Sequence, residues 1–104
     1  MIFDDLSLTA FFDKPILKSE FDYGAFGYAL DHCGTSCRLE FNAVTGNTVL
    51  TLESSGNCWL IDIENCERIV TDGNTLQVFC AGKQCVLLTK HSDHLSCVGR
   101  IAEC

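Results

Sequence analysis

From about residue 16 onward, apolar and polar residues alternate with a period of two, and short alternating runs are separated by clusters of turn-forming residues. The clusters are Gly34-Thr35-Ser36, Thr45-Gly46-Asn47, Ser54-Ser55-Gly56-Asn57, Asp72-Gly73-Asn74, Ala81-Gly82-Lys83-Gln84 and His91-Ser92-Asp93-His94. Between them lie candidate strands. Residues 25–32 set Phe26, Tyr28 and Leu30 on one side, and residues 37–43 set Cys37, Leu39, Phe41 and Ala43 against Arg38, Glu40 and Asn42. Residues 48–53 and 58–64 follow, the latter with Trp59, Ile61 and Ile63 against Leu60, Asp62 and Glu64. Residues 67–80 read as a hairpin turning at Gly73-Asn74 or over the wider Asp72–Thr75, with Ile69 opposite Val78 and Thr71 opposite Leu76. Residues 85–90 and 96–102 supply two more strands.

The first fifteen residues have a different period. Leu8, Phe11 and Phe12 fall at i, i+3 and i+4, one face of a short helix. Ser7 is expected to cap it and Pro15 to end it, because proline disfavours helical geometry in the residue before it. The expected fold is therefore mainly β: an antiparallel meander or small sandwich or half-barrel of seven to eight short strands with one short N-terminal helix. No linker, repeat or low-complexity segment interrupts it, so residues 1–104 are expected to form a single domain.

Composition agrees with a folded core. The apolar share is 47% and the charged share 20%, values that exclude disorder by composition. Phe3, Phe11, Phe12, Phe21, Phe26, Phe41, Trp59 and Phe79 are candidate core aromatics. The net charge of −7 is concentrated early, with 12 acids against 4 bases in residues 1–72 and 2 against 3 in residues 73–104. Such a field repels phosphate backbones and anionic lipid and draws cationic partners in. Direct nucleic-acid binding and membrane-surface binding are not expected.

Eight cysteines (Cys33, Cys37, Cys58, Cys66, Cys80, Cys85, Cys97 and Cys104) are the unusual feature. The acidic start Met1-Ile2-Phe3-Asp4-Asp5 lacks the cationic opening of a signal peptide, and no Asn-x-Ser/Thr acceptor occurs. The expectation is a protein of the cytoplasm whose thiols are reduced and pack as small hydrophobes. Zinc knuckles bring two thiolates together at short spacing; here only Cys33/Cys37 and Cys80/Cys85 are close, and no Cys-x-x-Cys exists. No metal ligands and no cofactor are assigned, although His91 and His94 with Cys85 or Cys97 provide a metal-binding or redox alternative.

Catalytic constellations fail a spacing check. In a strand, Asp31 and Cys33 share a face that excludes His32. Gly24-Ala25-Phe26-Gly27 lacks the Lys-Ser/Thr of a phosphate loop, and neither Gly-x-Ser-x-Gly nor His-Glu-x-x-His is present. No enzymatic activity is expected. The acids Asp62 and Glu64, at i and i+2, mark a wet negative face that Glu53, Glu67 and Asp72 are expected to extend. In layout (short, acidic, strand-rich, without catalytic motifs) the chain is similar to many bacterial toxin-immunity proteins and phage-encoded inhibitors, a likeness to which no motif contributes. The expected function is a small acidic protein-binding module. It would act as an inhibitor or immunity-type antagonist masking a basic surface on a partner, such as a toxin or a nucleic-acid-binding enzyme whose usual ligand it mimics in charge. A monomer or homodimer is expected.

Overall fold

A computed structural model describes residues 1–18, 24–99 and 102–103 of the chain. The fold is mainly β. One helix, α1 (Asp5–Phe12), precedes β1 (Lys14–Lys18), β2 (Ala25–His32), β3 (Thr35–Asn42), β4 (Thr48–Ser54) and β5 (Asn57–Ile63). Then come β6 (Cys66–Asp72), β7 (Thr75–Cys80), β8 (Lys83–Lys90), β9 (Leu95–Gly99) and β10 (Ala102–Glu103). Strands β2 to β9 are the eight antiparallel strands that the alternation predicts; β1 and β10 add to the edges. One sheet has the order β1-β2-β3-β4-β5-β10 and the other β6-β7-β8-β9. Within each sheet consecutive strands are neighbours, and β10 returns from the end of the chain order to pair with β5.

The register follows from which residues must be covered. Cys37, Leu39 and Phe41 of β3 face the interior, opposite Leu52, Leu50 and Thr48 of β4, and those lie opposite Trp59, Ile61 and Ile63 of β5. On the second sheet Ile69 pairs with Val78 and Thr71 with Leu76, the register read from the sequence, with Asp72 and Thr75 closing the turn around Gly73-Asn74. Leu39, Leu50 and Ile61 from the first sheet and Leu76, Val78, Val86 and Leu88 from the second belong to one apolar cluster. Each fully buried aliphatic side chain of this set contributes about 1.5–3 kcal/mol. The two sheets share one core.

Helix α1 closes an end of that core. Leu8, Phe11 and Phe12 are buried as their spacing predicts. Phe12 meets Tyr28 at 5.8 Å between ring centroids, and the Lys90 ammonium lies 4.3 Å from the centre of the Phe11 ring while donating to the Phe11 carbonyl. The ends of the helix differ from expectation. Asp4, not Ser7, is the N-cap: its carboxylate accepts from the Leu6 amide and also from the Ser7 hydroxyl at 2.9 Å. A carboxylate at this position also complements the positive end of the helix dipole. The stop comes at Asp13, whose left-handed backbone (φ 69°) lets its amide reach the Thr9 carbonyl, so Pro15 falls within β1 rather than ending the helix. Phe21 lies outside the described residues, as do 100 and 101 of the expected strand 96–102.

Residues before the helix seal an exposed edge. The Ile2 amide donates to the Glu67 carbonyl at 2.8 Å, and the Ile69 amide donates to the Ile2 carbonyl at 2.9 Å, a parallel bridge onto β6. Edge groups of β6 that would otherwise invite another strand are thereby paired.

Candidate functional site

Alternation that buries one side of β2–β5 lays the other side open, and the register fixes which residues meet there. Asp31, Ser36, Glu53 and Cys58 form one row across the outer face; Gly27, Glu40, Val49 and Asp62 form another. Between them runs a row with Ala29, Arg38, Thr51 and Leu60. Four carboxylates therefore share one face with Arg38, which pairs with Glu40 at 3.5 Å. Both partners are more than half exposed, so this contact adds little stability and leaves the sign of the face unchanged. The Ser36 hydroxyl donates to Asp31 at 2.6 Å. Glu53 borders a polar recess of about 450 Å³ formed with Gly34, Ser36, Ser54, Ser55, Gly56, Asn57 and Cys58.

The five acids singled out in the sequence are divided between locations. Glu53 and Asp62 stand on the outer face of the first sheet. Glu64 is exposed in the link from β5 to β6, one residue past the end of β5. Glu67 and Asp72 belong to β6 in the second sheet, where Glu67 accepts from the Gly82 amide at 3.3 Å. Asp31 and Glu40 join the first group instead. The 37–43 alternation already placed Glu40 outward; the partner strands were not readable from that run.

The Asp31-His32-Cys33 segment splits in three directions. Asp31 takes the Ser36 hydroxyl, His32 Nε2 meets the His91 carbonyl at 2.5 Å, and the Cys33 thiol donates to the Ser92 carbonyl at 3.6 Å. A carbonyl only accepts, so His32 Nε2 must carry the proton there. His91 and His94 stack with ring centroids 4.3 Å apart; His91 also contacts the Ser96 hydroxyl, and His94 contacts Asp93 at 2.6 Å. The His94 ring holds the fully exposed Asp93 carboxyl below the ordinary range. These groups tie the β2–β3 turn to the β8–β9 turn through main-chain acceptors. Among the described residues no group of three or more His, Cys, Asp or Glu is arranged to hold a metal ion.

The thiols divide into distinct environments. Cys37 is fully buried, and burial, with Cys97 nearby, pushes its thiol up to about 12; burial pushes Cys97 to about 11. These two behave as the packing atoms expected. Cys58 does not: it is disulfide-bonded, whereas the other six described cysteines are free. The expectation of reduced, packing thiols therefore fails at Cys58. Cys66 and Cys80 stand directly opposite each other across β6 and β7, while the Cys66 thiol donates to the Arg68 carbonyl and the Cys85 thiol to the Lys83 carbonyl, each at 3.7 Å. Burial foremost, then the neighbouring Cys85 and Cys66 thiols, push the Cys80 thiol up to about 12, and burial likewise raises Cys66. Cys80 and Cys85 line an open cleft of about 330 Å³ with Ile61, Asp62, Ile63 and Glu64.

Among the described residues, no helix is long and apolar enough to cross a membrane. Comparison with known proteins finds no matching family model, no matching curated sequence and no matching solved structure.

Proposed function

We propose that the protein is a small binding module that uses the outer face of its six-stranded sheet to mask a basic surface on a partner protein, as an inhibitor or immunity-type antagonist would. The observation that supports this is the gathering of Asp31, Glu40, Glu53 and Asp62 on one sheet face. Their spacing is set by backbone pairing, so the charge pattern is presented without reordering on binding, which limits the entropy lost. Glu64 lies at the rim, and Glu67 and Asp72 extend negative charge onto the neighbouring sheet edge. Rows of carboxylates at strand spacing would imitate the charge of a nucleic acid, which suits a nucleic-acid-binding enzyme or a basic toxin as target. The six free described thiols favour a reducing compartment such as the cytoplasm, and the disulfide at Cys58 counts against it.

The test is the association rate with a lysine-rich peptide of defined length, measured by stopped-flow at low and high salt. The expected result is a rate that falls steeply as salt rises and drops again in an E40Q/E53Q/D62N triple variant. A rate indifferent to both salt and the triple substitution would end this reading.

A further inference from the structure

Three thiols meet at the end of the β7–β8 hairpin, and they differ in access. Cys66 is 4% exposed and its thiol donates to the Arg68 carbonyl at 3.7 Å. Cys80 and Cys85 are half-buried and open onto the cleft. Cys85 is the extra residue of a β-bulge: Val78 pairs with Val86 and Phe79 with Gln84, which leaves Cys85 without a partner in β7. Its side chain lines the same cleft as Cys80, whose own ladder partner is Lys83. Two thiols that open onto one cleft from adjacent strands, one of them on a bulge, are candidates for a disulfide.

We propose that Cys85 and Cys80 are a reversible dithiol/disulfide pair that exchanges with neutral low-molecular-weight disulfides entering the cleft beside Asp62 and Glu64. Cys85 is the attacking group. Its thiolate attacks one sulfur of R–S–S–R, forming Cys85–S–S–R and releasing R–S⁻, which takes up a proton. Cys80 then gives its proton to solvent and attacks the Cys85 sulfur, forming the Cys80–Cys85 bond and expelling the second R–S⁻, which is protonated in turn. The protein loses two electrons and two protons; the disulfide is reduced to two thiols.

The choice of a neutral oxidant follows from the walls. Asp62 and Glu64 are exposed carboxylates lining the same cleft, and they repel an anionic disulfide. Cys66, buried and donating to the Arg68 carbonyl, is out of reach of solvent. This inference is independent of the acidic-face reading and stands or falls without it.

The experiment treats the native protein with 2-hydroxyethyl disulfide, blocks remaining thiols by alkylation and maps the cysteines by mass spectrometry. The expected product is an internal Cys80–Cys85 bond that a reductant reverses, while the exposed Cys33 carries a simple mixed disulfide. Oxidised glutathione, which is anionic, is expected to form the internal bond about fivefold more slowly, and a D62N/E64Q variant to narrow that gap. In Cys85→Ser, Cys80 is expected to stay free. Finding Cys80 and Cys85 both alkylated, or Cys85 held as a stable adduct with Cys80 free, would overturn the proposal. Equal rates for the two oxidants would overturn its selectivity for neutral disulfides.

Discussion

The Tyr28 hydroxyl, on the central part of β2, donates a hydrogen bond to the Asp5 carboxylate in the first turn of α1. The bond joins the helix to the sheet at the place where the Phe12 ring packs on Tyr28. Burial first, and then the neighbouring Asp5 and Asp4 charges, hold the phenol well above its ordinary range, so it remains a donor at every physiological pH. Replacing Tyr28 with Phe keeps the ring and removes the bond to a charged acceptor. The expected cost is about 1.5–2 kcal/mol. In a domain of this size that lowers Tm by several degrees, measured by calorimetry, whereas an unchanged Tm would mean the helix is held by packing alone.

Gly46 supplies a second prediction. Its φ is +79°, and a Cβ there would lie 3.1 Å from both the amide nitrogen and the carbonyl oxygen of Cys66 and 3.2 Å from the Asn65 Cα. Those are backbone atoms of the link between the two sheets, and the Cys66 amide donates to the Gly46 carbonyl at 2.8 Å. Gly34 has a similar φ of +84° but open space around it. Gly34→Ala is expected to cost about 1 kcal/mol from backbone strain alone. Gly46→Ala should cost clearly more, because a rigid neighbour must move as well. Denaturant midpoints that rank the two variants equally would contradict this packing.

How much of this was legible beforehand depends on distance along the chain. The hairpin from Cys66 to Cys80 was readable down to the pairing of Ile69 with Val78, since a short turn and a single buried face leave one register. The run from Cys37 to Asn42 likewise announced its inner and outer sides. Capping was misread at Ser7 because Asp4, three residues earlier, competes for the same amides with a charged acceptor. Glu67 and Asp72 were grouped with Asp62 because alternation gives a side but not a sheet, and the turn at Glu64-Asn65 carries the chain from one sheet to the other. The meeting of Cys80 with Cys85 depends on a one-residue bulge, which shifts a side chain without changing the pattern of residue types.

The alkaline limb of stability should report the buried thiol of Cys37. Its folded value of about 12 lies above the 9.0 of an unperturbed thiol, so the unfolded chain loses this proton first as pH rises. Its contribution is complete below pH 9, declines above it, and is lost as the pH passes the folded value. Urea unfolding of the wild type is expected to weaken between pH 9 and the folded value near 12. Cys37→Ala is expected to be less stable at neutral pH, by about 1–2 kcal/mol for the lost sulfur contact, but to decline less steeply with alkali. Parallel slopes for the two proteins would place the titrating group elsewhere.

Core substitutions should couple the two sheets. Leu50 lies in β4 and Leu88 in β8; both are fully buried within one cluster. Leu50→Ala is expected to cost about 2–5 kcal/mol. The resulting unfolding transition, followed by Trp59 fluorescence and by far-ultraviolet circular dichroism, should remain single. Two separated transitions would show that the sheets fold as independent units.

The most direct measurement of the proposed role is an NMR titration of the isotope-labelled protein with a lysine-rich peptide at low salt. The account predicts that amide shifts concentrate on the outer face around Asp31, Arg38, Glu40, Glu53 and Asp62, and that they vanish at high salt. Shifts confined to the β6–β7 hairpin or spread evenly over the surface, or shifts that persist at high salt, would contradict it.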